Sequence, residues 1–161
     1  MNVTFRQVEE KDNPALANLI RQVFDEHDAP KTGTIYAHPT TDNLYELFQT
    51  AGAVLIIAEA DDKIIGCCGI YPSAELPEDY AELVKFYVTK EARGEGVGRT
   101  LMEKCIDLAV IYEYTHLYLE SLPEYSKAVA MYEKEGFVKL NKPLGKFEFQ
   151  SCSIWMLKKL N

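Results

Sequence analysis

The chain has 161 residues, 47% of them hydrophobic and 26% charged, proportions that suit a soluble globular protein with room for a proper core. Its formal net charge of −8 argues against a nucleic-acid backbone as partner and makes a cationic or amine-bearing substrate the easier one to attract. No window approaches a membrane span and the first residues hold no signal-peptide core. Cys67, Cys68, Cys105 and Cys152 show no C-x-x-C spacing, so a reduced, cytoplasmic protein of one domain (1–161) without a metal is expected.

Val3, Phe5 and Val8 alternate with polar residues and mark a first strand over residues 3–8. Asp12 or Asn13 caps a helix with Pro14 in its first turn, on which Leu16, Leu19, Ile20, Val23 and Phe24 recur at helical spacing. Pro30 and Gly33 end it and open a loop, KTGTIYAHPTTD, that carries Tyr36 and His38. Thr41 or Asp42 caps a short second helix with Leu44, Leu47 and Phe48. Residues 53–60 and 63–71 read as antiparallel strands joined by a tight turn at Asp61-Asp62. The loop PSAELPEDY leads to another apolar, β-branched run at 83–88, with Glu82 at its start.

After a polar connection over 89–92 come Gly94, Gly96 and Gly98 at alternate positions. They open a helix over 97–112 whose buried stripe is Val97, Leu101, Cys105, Leu108 and Tyr112. Unpaired N–H groups and the positive end of the helix dipole converge there, and glycines let an anion approach the backbone, so pyrophosphate is the natural guest. A Walker loop needs Gly-Lys-Ser/Thr, which is absent, and Gly94-Glu95-Gly96-Val97-Gly98-Arg99 lacks the third glycine of a dinucleotide fingerprint. Glu120 does end the next strand, where that fingerprint holds a ribose.

Residues 115–120 read as a strand parallel to 83–88 through a right-handed crossover, with His116 near its start and expected to be exposed. A link over 121–125 leads to a helix, SKAVAMYEKE, ended by Gly136. Segments 137–140 and 152–157, separated by the loop NKPLGKFEFQS, form a last antiparallel pair. The order β-α-α-β-β-β-α-β-α-β-β holds a single βαβ unit. That excludes a doubly wound dinucleotide fold and predicts an α+β domain: a mixed, mostly antiparallel central sheet with flanking helices.

This order, with R-x-x-G-x-G at Arg93, Gly96 and Gly98, resembles the GNAT superfamily of acyl-CoA-dependent N-acyltransferases. A second stretch, Ala128 through Phe137, is similar to that superfamily's A-x-x-x-Y-x-x-x-G-F segment, about 30 residues further on. The resemblance implies an N-acetyltransferase that moves acetyl from acetyl-CoA to a primary amine of a small molecule or peptide, by direct attack in a ternary complex. No nucleic acid or membrane is a partner, and a homodimer is left open.

By that resemblance, backbone groups of Phe86, Tyr87 and Val88 hold the pantetheine arm like an added strand. The N–H groups of Arg93, Gly94, Glu95, Gly96, Val97, Gly98 and Arg99, with the Thr100 hydroxyl, hold the pyrophosphate. The Glu95 side chain is expected to point to water. Glu82, 11 positions before Arg93 (93 − 82), matches the strand glutamate that acts as general base in histone-type members. The alternative is a solvated carboxylate. Tyr132 matches the tyrosine that protonates the departing thiolate, although Ala128, Val129 and Tyr132 also form a stripe suited to a core. Tyr125 stands where many members carry an asparagine, so an amide contact to pantetheine gives way to stacking or a hydroxyl contact. Glu120, Tyr36 and His38 are further candidates for the acceptor pocket. The other functional class is a non-catalytic acyl-CoA-binding module, which needs the glycine turn but neither Glu82 nor Tyr132.

Overall fold

A computed structural model describes residues 1–145 and 152–160. Among these, seven strands form one sheet: β1 (Thr4–Gln7), β2 (Val54–Ala60), β3 (Lys63–Tyr71), β4 (Tyr80–Val88), β5 (His116–Ser121), β6 (Val138–Lys139) and β7 (Ile154–Lys159), in the order β1-β2-β3-β4-β5-β7-β6. All neighbours are antiparallel except β4 and β5. The predicted mixed, mostly antiparallel sheet is therefore observed.

Helices cover both faces because the central strands are apolar on both. Leu55 and Ile57 of β2 and Cys67 of β3 pack with Leu16, Ile20 and Phe24 of α1 (Asn13–Glu26) and Leu44 of α2 (Leu44–Leu47). Val54, Ile56 and Ala58, with Cys68 and Ile70, pack with Leu101, Met102 and Cys105 of α3 (Val97–Ile111) and Val129 and Tyr132 of α4 (Ser126–Lys134). An unbroken apolar run is what a strand buried on both faces requires. All four cysteines are free, and Cys67, Cys68 and Cys105 are buried. Among the described residues no helix is long and apolar enough to cross a membrane.

The predicted elements are present, with shifted ends. Asp61 and Asp62 have φ of 51° and 61°, as a two-residue hairpin turn demands. β4 begins at Tyr80 rather than at 83, because Tyr80 and Ala81 already pair with His116 and Leu117. Asn43, not Thr41 or Asp42, precedes α2: the buried Thr41 hydroxyl donates to Ile35 O instead, and Asp42 takes Arg21 in a two-bond ion pair at 2.9 and 3.0 Å. β7 begins two residues later than 152 and runs two beyond 157, in register with the whole of β5. Of the loop predicted over 141–151, positions 146–151 lie outside the described residues. His116 is half-buried rather than exposed, stacked on Tyr80 with ring centroids 4.3 Å apart.

Candidate active site

The site begins where two parallel strands part. β4 and β5 pair at Tyr80–His116, Ala81–Leu117 and Glu82–Tyr118, and no further. Just beyond, β4 carries a bulge: Cys67 faces Tyr87 and Gly69 faces Val84, so Lys85 and Phe86 together oppose Cys68. Lys85 takes φ 56°, a left-handed conformation that costs a non-glycine residue about 1–2 kcal/mol. A bulge bends its strand and exchanges its two faces. Leu83 belongs to the α3 side, yet so do Phe86 and Val88, while Val84 and Tyr87 turn to α1.

Beyond Glu82 the edge of β4 that faces β5 has no strand partner among the described residues. Thr89 N–H donates to Ile65 O at 2.9 Å on the other side. Strand alternation then turns the backbone groups of Tyr87 toward β3 and those of Phe86 and Val88 toward the open edge. The Val88 carbonyl there accepts from Arg93 Nε and Nη2 at 3.3 and 3.1 Å, and Arg93 also reaches Glu26 of α1 at 3.1 Å. The Arg93 guanidinium thus braces the end of β4 against α1.

The open edge leads to the glycine turn. Gly94 and Gly96 have φ of 84° and 79°, and a Cβ on either would meet nothing within 4 Å, so these glycines are required by backbone conformation and border open space. Gly98 differs: a Cβ there would lie 3.1 Å from the Phe86 ring, and its absence lets α3 close on β4. Arg93 N–H donates to Lys90 O and Thr100 N–H to Gly96 O, but the N–H groups from Gly94 through Arg99 find no backbone acceptor among the described residues. Six consecutive N–H groups without a backbone acceptor therefore gather at the positive end of a 15-residue helix, those of Gly94, Glu95, Gly96 and Arg99 on exposed residues. Glu95 is exposed. Beside the turn, a groove of about 510 Å³ is lined by Arg99 of α3 and Lys127, Lys134 and Glu135 at α4, a net positive wall.

At the fork itself lies a cleft of about 100 Å³. Glu82, Glu120, Tyr125, Tyr132 and Cys152 line it, with Phe24 and Ile35 as apolar wall. Tyr132 reaches it from the α4 face, its ring against Phe86 and Phe137 at 5.8 Å each. Only 7% of Tyr132 is exposed, and its hydroxyl has no hydrogen-bond partner among the described residues. Burial pushes that phenol well above its ordinary value, so it holds its proton at any working pH.

Glu82 comes from the opposite face. Its carboxylate makes no hydrogen bond or ion pair among the described residues, and burial, then the charge of Glu120, pushes it up to about 8, with Lys85 opposing. The side chain is partly open to the cleft while protein surrounds its base. It is half-buried rather than freely solvated, and it lies two residues into β4 rather than at a strand start. Glu120 is held: Leu144 N–H donates to the Tyr118 hydroxyl at 3.3 Å, and that hydroxyl donates to Glu120 Oε2 at 2.7 Å. Burial raises Glu120, and the Tyr118 bond works against the rise. Among the described residues no group of His, Cys, Asp and Glu side chains comes together to hold a metal ion.

Tyr125 packs edge-on against Phe24 and His27, at 5.7 and 5.0 Å, and its hydroxyl is buried with no partner among the described residues. It lies in the cleft as an aromatic wall. The loop after α1 reaches the cleft through Thr34 and Ile35. Tyr36 instead sits edge-on to Phe24 at 5.9 Å under Lys31, and His38 Nδ1 accepts from Thr40 N–H at 3.3 Å at the start of a helical turn. Sequence reasoning missed the Lys85 bulge, the Tyr118–Glu120 bond and Cys152. Alternation along β5 could have added Tyr118 to the candidate Glu120, since both share a face with Glu82; no local signal marks the bulge.

A strand fork beside a free-donor turn at a helix start, with an uncharged phenol and an unpaired carboxyl in the gap, offers an anion seat next to a potential proton donor and acceptor. The chain belongs to the acetyltransferase (GNAT) family, whose model matches residues 20–137, and is an acyl-CoA-dependent N-acyltransferase. It is 31% identical over 156 residues to the uncharacterized N-acetyltransferase YjgM of Escherichia coli (strain K12), covering 96% of this chain and 93% of that one. An acetyltransferase of the GNAT family from Staphylococcus aureus Mu50 shares the fold with a TM-score of 0.88 at 17% identity, over 99% of this chain and 100% of that one. The yncA protein of Salmonella typhimurium, solved with its cofactor acetyl-CoA, superposes with a TM-score of 0.79 at 18% identity, over 100% and 95% of the two chains.

Proposed function

We propose that residues 1–161 act as one N-acetyltransferase domain that transfers acetyl from acetyl-CoA to a primary amine by direct attack within a ternary complex. The observation that carries this reading is the continuity of three features. Free N–H groups from Gly94 through Arg99 run into the open edge of β4, and that edge ends in the cleft of Glu82 and Tyr132. The fold relative solved with acetyl-CoA supports the same cosubstrate here.

In this reading the free N–H groups, with the Thr100 hydroxyl, hold the pyrophosphate, and Arg99, Lys127 and Lys134 add positive charge beside it. The pantetheine amides pair with Phe86 and with Val88 N–H, while Tyr87 faces the cavity with its ring and β3 with its backbone. The thioester then lies in the fork. Glu82 takes a proton from the incoming amine, whose nitrogen attacks the thioester carbon. As the C–S bond breaks, Tyr132 protonates the thiolate.

Acetyl-CoA binds only the folded chain, so at about 100 times its Kd it should add ~2.7 kcal/mol. That raises the melting temperature by roughly 5–10 °C for a domain of this size, while NAD at the same concentration leaves it unchanged. Equal shifts with both, or none with acetyl-CoA, would sink the proposal. Gly96→Val should cost the free protein about 1–2 kcal/mol, through the positive φ rather than a clash. Its side chain would occupy the phosphate's place, so the acetyl-CoA shift should vanish.

A further inference from the structure

Glu26 is the last residue of α1, and two local preferences argue against an acid there. The C-terminal end of a helix carries negative partial charge, which disfavours a carboxylate, and no basic residue in the last turn of α1 offsets it. The glycine turn also follows directly on Arg93, the partner of Glu26, so a carboxylate nearby weakens a seat for phosphate. The neighbouring Asp25 meets Lys31 on the surface at 3.1 Å. Glu26 instead reaches Arg93 across 67 positions of the chain, at 3.1 Å, with only 19% of its side chain exposed.

What this pair holds is a single peptide unit. The Val88 carbonyl accepts from Arg93 Nε and Nη2, at 3.3 and 3.1 Å. Thr89 N–H, at the other end of the same peptide plane, donates to Ile65 O at 2.9 Å. The plane is therefore fixed from both sides, by β3 on one and by the guanidinium on the other. The following turn closes on the same spot: Ala92 N–H donates to Thr89 O at 3.1 Å, and Arg93 N–H to Lys90 O at 3.3 Å. This joint sets how far the open edge at Phe86 and Val88 lies from the N–H groups of Gly94 through Arg99. A ligand that spans both binds best when that distance is fixed before it arrives.

We infer that Glu26 is a positioning residue for acyl-CoA: through Arg93 it locks the joint between β4 and the glycine turn, without touching the cosubstrate itself. This rests on the acetyltransferase reading and deepens it. An arginine side chain is long and costly to order, and this one lies beside an anion seat that would draw it away from Val88. Glu26 keeps it in place. The guanidinium also closes the Val88 carbonyl to the pantetheine, so Val88 offers the cosubstrate its N–H alone.

Glu26→Gln keeps the size of the side chain and removes its charge. Calorimetry should find acetyl-CoA bound about tenfold more weakly, with KM for acetyl-CoA raised to match and kcat within about twofold. Simple repulsion between Glu26 and the phosphates predicts the opposite sign, tighter binding once the carboxylate is gone. The melting temperature of the free protein should change little, because a partly exposed ion pair contributes weakly to folding. Hydrogen exchange in the free protein should nevertheless show Thr89 N–H about tenfold less protected. Arg93→Lys keeps the charge but lacks the fork that takes carbonyl and carboxylate together, so it should weaken acetyl-CoA in the same way. The exchanged pair, Glu26→Arg with Arg93→Glu, restores an ion pair but supplies no donor to Val88. Its affinity should stay low, whereas a pair that served stability alone would be rescued.

Unchanged or tighter acetyl-CoA binding by Glu26→Gln, unchanged protection of Thr89, or full rescue by the exchanged pair would overturn the role of Glu26. If Glu26→Gln did not fold, Arg93→Lys with wild-type affinity for acetyl-CoA would overturn it as well. A wild-type protein that binds no acetyl-CoA would sink the transferase reading and the positioning role together. Wild-type binding that the variants share would sink the positioning role alone, so the two failures are distinguishable.

Discussion

Tyr132→Phe should lower kcat by ~10²–10⁴ while leaving the melting temperature and acetyl-CoA affinity nearly unchanged. The ring is held by Phe86 and Phe137, and both contacts survive in phenylalanine. The deleted hydroxyl has no hydrogen-bond partner among the described residues, so no buried group is orphaned by its loss. Burial keeps its proton on, as a donor needs. Thiolate charge appears only as the C–S bond breaks, so the loss belongs to the transition state and not to binding. A thiol with pKa near 8.5 leaves moderately well unaided, which sets the expected loss at the low end of that range. If Tyr132 served only the core, kcat would stay at the wild-type value, and kcat measured beside the melting curve on one preparation tells the two apart.

Glu82→Gln should pull activity and stability in opposite directions. Without the base, kcat/KM falls by about 10²–10³, and the acid limb that the wild-type enzyme shows below its carboxyl value of about 8 disappears. In the folded chain this carboxyl is raised from an ordinary 4.5, so between those two values the native state holds a proton that the unfolded chain has released. Stability is therefore lost as pH rises from about 4.5 to about 8, and the loss is complete above that. Glutamine carries no such charge. The variant should match the wild-type protein near pH 4 and exceed it by roughly 1–3 kcal/mol at pH 9, a figure discounted because the carboxylate reaches water in the cleft. Thermal unfolding across that range measures it. A variant less stable than wild type at pH 9 would show Glu82 to be a partner in packing rather than an ionisable group held under strain.

Much of the frame is local, and local patterns sufficed for it. The apolar runs of β2 and β3, the helical stripe from Leu16 to Phe24 and the glycines before α3 each act through their own neighbours in the chain. Alternation, 3.6-residue periodicity and positive φ are properties of a short window, so the strands, helices and glycine turn were legible from the residues alone. Tyr132 and Glu82 were singled out by their positions in the motifs that resemble the GNAT superfamily. The end of the strand pairing at Glu82–Tyr118 was not legible, because it depends on a bulge at Lys85 that no glycine advertises. The same bulge sends Tyr87 to the α1 side and Phe86 to Tyr132. Arg93 carried the expected spacing, but its side chain was claimed by Val88 and Glu26, the latter 67 positions away in the chain. Glu120 reads from the sequence as a strand end that could line the acceptor pocket or serve as a cap, and its place beside Glu82 emerges only when β5 is set beside β4. Burial and charge repulsion act through space, so the surroundings that raise Glu82 to about 8 exist only once tertiary structure packs protein around it and brings Glu120 to the same cleft.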